Sequence, residues 1–323
     1  MEGIAAIAKA FDFDYKTISR EKYGILCHGA SGYKKILRYN LKDMPPEDIT
    51  FVHKAKETLY ESGFKNIDRF LISDGLPYII KADDVFLVTD LISLNEANFN
   101  NPAEFLDIVK NLAQMHSLWI NMGIAKGIDY PNNFENSRAL TRVRGYRNKV
   151  MKGGHFSDFD MLFIEGEKSL TPYIEQYTAL SDDFGLLFQT AREQGQVCHN
   201  LLKEENIINT GDGHYFTNFM RARPYPCIYD LVYIIKRYLR ALQQPVAASL
   251  TLDEIAEAYS KSNPHFEYNK ELLCAMLLYP DKFIKISDQY YSKKRGFVPI
   301  AYMQRLKDII STKDMVLQFV KGE

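Results

Sequence analysis

Between residues 197 and 231 the chain reads VCHNLLKEENIINTGDGHYFTNFMRARPYPCIYDL, and its polar residues fall at the intervals of a phosphoryl-transfer site. Such a site runs H-G-D-x-x-x-x-N, then a strand carrying D-F, then a helix opening on D-L. Its first Asp accepts the proton of the incoming hydroxyl. Its Asn and second Asp hold the magnesium that bridges the nucleotide phosphates. His199 and Asn206 keep their places, and Asp230-Leu231 is expected to open a helix. Leu201 stands where the base belongs, and Asn218 where the metal-binding Asp belongs. The frame is present and both carboxylates are missing.

Each substitution bears on the chemistry. Leu201 has no proton acceptor, and a missing general base forfeits roughly 10²–10⁴ in rate. Glu204, Glu205 and Asp212 lie close in sequence and could substitute only by entering the cleft; Lys203-Glu204-Glu205 otherwise reads as a solvated loop. Asn218 offers a neutral amide oxygen to an ion that sheds water reluctantly. With Asn206 the ion would rest on two neutral amides, and Asn206 alone reads as a turn residue bonding nearby backbone. Asp230 is expected to brace the loop backbone and cap its helix, a role that needs no substrate.

The phosphate-binding parts depart as well. In GYKKILRY, Arg38 falls where a phosphate lysine would stand, with Lys34 and Lys35 nearby. An Arg fork does not replace a compact ammonium at fixed geometry. No Glu faces inward from the helix expected at 46–62, where Val52 or His53 occupies the relevant turn. Ser19–Lys22 contains no Gly, and the turn Gly29-Ala30-Ser31-Gly32 reads as a hairpin rather than a phosphate cradle.

These positions require a scaffold. Tyr15–Ser19, Gly24–His28 and Tyr33–Tyr39 are β-favouring runs, followed by a helix from Pro46 to Ser62. Phe70–Ser73, an Asp74-Gly75 turn, Leu76–Lys81 and Val85–Leu91 complete a strand-rich first part with one helix. The remainder reads as helical. Asn101-Pro102-Ala103-Glu104 starts a helix whose inward stripe includes Phe105, Ile108, Leu112, His116 and Trp119. On that stripe His116 reads as a core histidine bonded to backbone. Further helices are expected after Asp230 and at 252–261, 269–290 and 301–319. The fold class is therefore α+β, a two-lobed protein-kinase-like arrangement: a β-rich N-lobe over 1–95 and a helical C-lobe over 96–323 that carries the degenerate loop.

Composition sets the outer limits. At 323 residues, 46% hydrophobic and 25% charged, the chain can build two cores and is not of disordered composition. A net charge of −1 gives no general reason to expect nucleic acid as a partner. The longest apolar runs fall short of the ~20 residues that span a bilayer, and the N-terminus lacks the pattern of a signal peptide, so synthesis in a cytoplasm is expected. The four cysteines lack metal-site spacing. Cys27-His28 and Cys198-His199 read as buried thiols beside satisfied imidazoles, and no metal is expected.

Several blocks together resemble a known family almost end to end. ESGFKNIDRFLISDGLPYII (61–80) is similar to the GF–D–DG-P stretch of the CotS spore coat proteins, which share the aminoglycoside phosphotransferase/choline kinase fold. DLISLNEANF (90–99), with Glu96 before an aromatic, resembles their hinge, and LAQMH (112–116) their first C-lobe helix. YPDKFIKISDQYYSKKRGF (279–297) resembles a YP-KF-K-YY-K block that belongs to no general kinase motif. The resemblance implies deposition in a spore coat and other coat proteins as partners.

Three readings follow. The first is a catalytically inactive pseudokinase used in coat assembly, with no cofactor. Tyr290, Tyr291 and Phe297 beside Lys293, Lys294 and Arg295 would be its docking patch, unless those aromatics belong to the core. The second is an atypical kinase for a small molecule or protein, which would need ATP and magnesium. The third is a non-catalytic ligand-binding module.

Overall fold

The computed structural model describes residues 2–21, 24–30, 32–93, 95–130, 138–154, 156–242, 250–292 and 300–322. It begins with a helix, α1 (Glu2–Ala10), that the sequence reading left out. Nine residues cannot hold a helix alone in water. What holds this one is its apolar edge: Ile7 and Ala8, with Phe11 just beyond, bury against Cys27, Ile36 and Val88 of the sheet.

That sheet contains β1 (Thr17–Glu21), β2 (Gly24–Gly29), β3 (Gly32–Asn40), β4 (Ile79–Lys81) and β5 (Asp84–Asp90). It is antiparallel in the order β1-β2-β3-β5-β4. Between β3 and β4 the chain forms α2 (Pro46–Glu61), opened by its Pro and by Glu47 and Asp48 in the first turn. Alternation along β3 decides which residues meet α2. Ile36 joins the α1 cluster, whereas Leu37 packs with Ile49, Val52 and Leu59 of α2. The Gly29–Gly32 segment closes the β2–β3 hairpin, and a Cβ on Gly29 would lie 1.9 Å from the Asp14 carbonyl oxygen. Glycine is thus demanded there by chain packing. The strand expected at Phe70–Ser73 is reduced to single bridges, Phe70 to Thr89 and Ser73 to Leu76 around the Asp74-Gly75 turn.

The rest is dominated by helices. α3 (Pro102–Met122) is capped by Asn101, whose side chain accepts from the N–H groups of Ala103 and Glu104, and it ends at Gly123 in a left-handed conformation. α4 (Ala139–Lys152), α5 (Asp158–Ala179) and α6 (Ser181–Gln194) follow. Two small ribbons then pair β6 (Val197–Cys198) with β9 (Arg223–Pro224), and β7 (Ile207–Asn209) with β8 (His214–Phe216). α7 (Ile228–Ala241), α8 (Leu252–Ser262), α9 (Lys270–Leu278), α10 (Asp281–Ser292) and α11 (Ile300–Lys321) complete the chain. The single helical stretch expected at 269–290 is two helices, broken at Tyr279-Pro280. Proline has no N–H to donate, and it disfavours helical geometry in the residue before it.

One apolar cluster runs from Leu37 and Val85 through Leu112 and Trp119 to Phe283 and Leu306. Trp119 on α3 donates its indole N–H to the Ala55 carbonyl of α2 at 2.9 Å, tying the two lobes at a buried point. Tyr291 belongs to this core, and Tyr290 packs against it half-buried. Tyr290 stacks on Phe159 at 3.9 Å, and Tyr291 donates to Asp160 at 2.9 Å. Lys293, Lys294, Arg295 and Phe297 lie outside the described residues. The four cysteines are free thiols. No helix among the described residues is long and apolar enough to cross a membrane.

Candidate functional site

Asp230 organises the loop. It lies in the first turn of α7, which opens at Ile228, earlier than the sequence suggested. Its carboxylate does not cap α7. One oxygen accepts the His199 N–H at 2.5 Å and the other accepts the Asn200 N–H at 2.9 Å. The first oxygen also lies 3.1 Å from Nε2 of His116, whose Nδ1 is 2.6 Å from the Tyr259 hydroxyl. His116 is fully buried, and its partners are side chains of α7 and α8 rather than the backbone expected from the sequence. Asn200 occupies the motif's glycine position with φ of 60°, a left-handed conformation that Asn tolerates better than most residues.

His199 is held as a neutral ring. Its Nδ1 accepts from the Leu201 N–H at 3.2 Å while Nε2–H donates to the Thr217 carbonyl at 3.0 Å. Burial pushes its pKa down to about 4, against the pull of Asp230. The consequence for stability has a definite sign. Between about 6.5 and about 4 the unfolded chain binds a proton that the folded chain refuses, so this contribution is intact above that window and lost as pH falls through it. The loss is on the order of 3 kcal/mol. Denaturant unfolding at pH 7.5 and 4.5 should show His199→Gln with a correspondingly weaker pH dependence than wild type. Equal slopes would show that His199 is not held neutral.

Leu201, Asn206 and Asn218 meet at the loop's other side. Asn206 is 5% exposed; its Nδ2 donates to the Leu201 carbonyl at 2.8 Å, and its Oδ1 accepts from Nδ2 of Asn218 at 3.3 Å. The two amides at the metal-ligand positions thus bond each other, and one also braces the loop. Asn218 has φ of 61°. Its own N–H points to a carboxylate absent from the motif: Oδ2 of Asp68, at 3.3 Å.

Asp68 and its partner Lys56 are residues that motif reading missed. The Asp68 carboxylate lies 3.0 Å from the Lys56 ammonium, with both side chains almost completely buried. Lys56 is 3.7 Å from the centroid of Phe70 and 5.6 Å from that of Phe219, the residue after Asn218. Burial pushes the Lys56 pKa down and Asp68 opposes it. Tyr39 of β3 adjoins the pair, its pKa pushed up to about 12 by burial and then by Asp68. A signal existed: Ile49, Val52, Lys56 and Leu59 share one helical stripe, so a lysine sat where an apolar residue was due.

The phosphate-lysine assignment requires correction. Arg38 does not enter the cleft: it lies on the sheet face away from α2, its side chain is 65% exposed, and it pairs with Asp84 at 2.5 Å. The alternation that turns Leu37 and Tyr39 toward α2 turns Arg38 outward. The acids considered as substitutes are also placed. Glu204 accepts from Nε of Arg237 on α7 at 2.7 Å, Glu205 lies 3.4 Å from the Lys203 ammonium, and Asp212 is exposed in the β7–β8 turn.

With the lobes, hinge and loop in place, the architecture can be compared with solved structures. An aminoglycoside phosphotransferase from Alicyclobacillus acidocaldarius superposes with a TM-score of 0.80 at 16% identity, covering 98% of this chain and 94% of that one. The fold is that of the aminoglycoside phosphotransferases and choline kinases. A spectinomycin phosphotransferase in complex with ADP and spectinomycin matches with a TM-score of 0.66 at 13% identity, covering 98% of both chains. A choline kinase from Cryptosporidium parvum gives 0.54 at 12% identity, over 98% of this chain and 96% of that one. No family model and no curated sequence matches the chain. Identities this low establish the kinase-like fold and leave activity to the site. Within that fold, hinge residue Ala97 donates its N–H to the Ile207 carbonyl at 2.8 Å and Glu96 bridges to Ile208, so β7 is fastened to the interlobe connection.

Proposed function

We propose that this chain is a kinase-fold protein that does not transfer phosphate, a pseudokinase whose scaffold serves assembly. The observation that carries this reading is the direct hydrogen bond between Asn218 and Asn206, at the two positions where magnesium would be held. Two mutually bonded neutral amides do not suit an ion that takes hard, preferably anionic, oxygen ligands. Leu201 removes the base independently, and of the loop acids Glu204 is engaged by Arg237 and Glu205 lies near the Lys203 ammonium. A nucleotide–magnesium cofactor therefore does not fit this donor set. The resemblance to CotS proteins supplies the setting proposed for the scaffold, a spore coat with other coat proteins as partners.

The test compares wild type with Leu201→Asp/Asn218→Asp. Wild type is expected to give no magnesium-dependent thermal shift with ATP and no phosphate release. The restored variant is expected to gain at least the shift. Micromolar ATP binding with phosphate transfer by wild type, little improved by restoration, would overturn the reading in favour of an atypical kinase.

A further inference from the structure

A cavity of about 550 Å³ opens among α7, α9, α10 and α11. It is set along α7 from the degenerate loop: Arg240 on its wall lies ten residues beyond Asp230, about 15 Å of helical rise. The volume is that of a small-molecule site. Its apolar wall includes Leu239, Leu277 and Ile286, all buried, and Ile309 and Val316 of α11.

Charge on the wall is unbalanced. Six basic residues line the cavity against two acids, Asp281 and Asp308. Lys236 is engaged by Asp281 at 3.3 Å and by the Tyr279 carbonyl at 3.0 Å, and Lys313 by Asp314 at 3.3 Å. Arg240, Lys282, Lys285 and Arg305 form no ion pair among the described residues. All four are exposed residues that border the cavity. For Lys282 partial desolvation, with Arg240 adding repulsion and Asp281 opposing, pushes the pKa down to about 8. For Arg240 desolvation acts in the same direction, and Arg237 adds to it. Four like charges beside an apolar wall repel one another and give the cavity mouth a positive field that an anion would neutralise.

We propose that this cavity binds a small organic anion with an apolar body, its phosphate or carboxylate head between Arg240 and Lys282 and its body against Leu239, Leu277 and Ile309. Charge complementarity selects the head, and the buried leucines select the body. The site is separate from the loop, so it stands whether or not the cleft transfers phosphate.

The test uses the full chain in titration calorimetry with four probes below their micelle concentrations: decyl phosphate, decanoate, inorganic phosphate and decyltrimethylammonium. The phosphate and carboxylate amphiphiles distinguish the two possible heads. At least one should bind in the micromolar range, with inorganic phosphate and the cationic amphiphile weaker by about a hundredfold, a gap of about 2.7 kcal/mol. Lys282→Glu and Arg240→Glu change residues open to solvent and should each weaken the anionic amphiphile by about tenfold or more. Their melting temperatures, followed by circular dichroism, should stay near wild type. Lys149→Glu, on α4 and away from the cavity wall, should leave binding unchanged. Equal binding of the cationic amphiphile, equal binding of inorganic phosphate, or indifference to both charge reversals in folded protein would overturn the proposal.

Discussion

Replacing Lys56 by Ala should cost about 3–5 kcal/mol of folding stability, because it strands the buried Asp68 carboxylate without its counter-charge. Asp68→Ala should cost as much for the reciprocal reason, and it also orphans the Asn218 N–H. The combined change Lys56→Met/Asp68→Asn should recover most of the loss. It removes both charges, keeps an oxygen for the Asn218 N–H, and leaves an apolar side chain between Phe70 and Phe219. Urea unfolding of wild type, Lys56→Met, Asp68→Asn and the combined variant closes a double-mutant cycle, with a coupling energy of about 2 kcal/mol or more expected for buried contacting charges. Single losses below about 1 kcal/mol would mean that the pair behaves like an exposed one. The pair also bears on how the lobes are set. In protein kinases the corresponding tie runs from a strand lysine to a helix glutamate. Here the helix supplies the cation, and the anion sits beside Asn218. The tie holds α2 to the loop without asking for a phosphate.

How much of this was legible depended on range along the chain. His199, Asn206 and Asn218 could be placed because short loops of fixed length set their spacing, and the structure bonds Asn218 to Asn206 while the Thr217 carbonyl holds His199. α3 and α7 were legible from their periodicity, down to Asn101 as a cap, whereas α4, α5 and α6 were covered only by the general expectation of helix. What escaped was decided by distant partners. Lys56 looked like one more polar residue on a surface helix until Asp68 and two aromatic rings were known to face it. α1 lacks the length to declare itself and depends on Ile36 and Val88 of the sheet. Arg38 was misplaced by a single residue of register, and in a strand one residue is the whole difference between cleft and solvent.

Asp230→Ala is the other change with a large expected effect, about 4 kcal/mol, since it leaves the His199 and Asn200 N–H groups and the inner nitrogen of His116 without an acceptor. Asp230→Asn tests the geometry more finely. An amide keeps one accepting oxygen and turns an N–H₂ toward a group that also donates, so roughly half the loss, about 2 kcal/mol, should remain. If both variants unfolded like wild type, Asp230 would not be holding the loop. The size of the effect explains why this carboxylate persists beside Leu201 and Asn218. A carboxylate kept for magnesium or for a substrate proton has no value once its chemistry is gone, whereas one that satisfies buried backbone donors is needed by the fold itself. Of the three acids that the motif calls for, this chain holds the one that its loop folds around, and Leu201 and Asn218 stand at the other two positions.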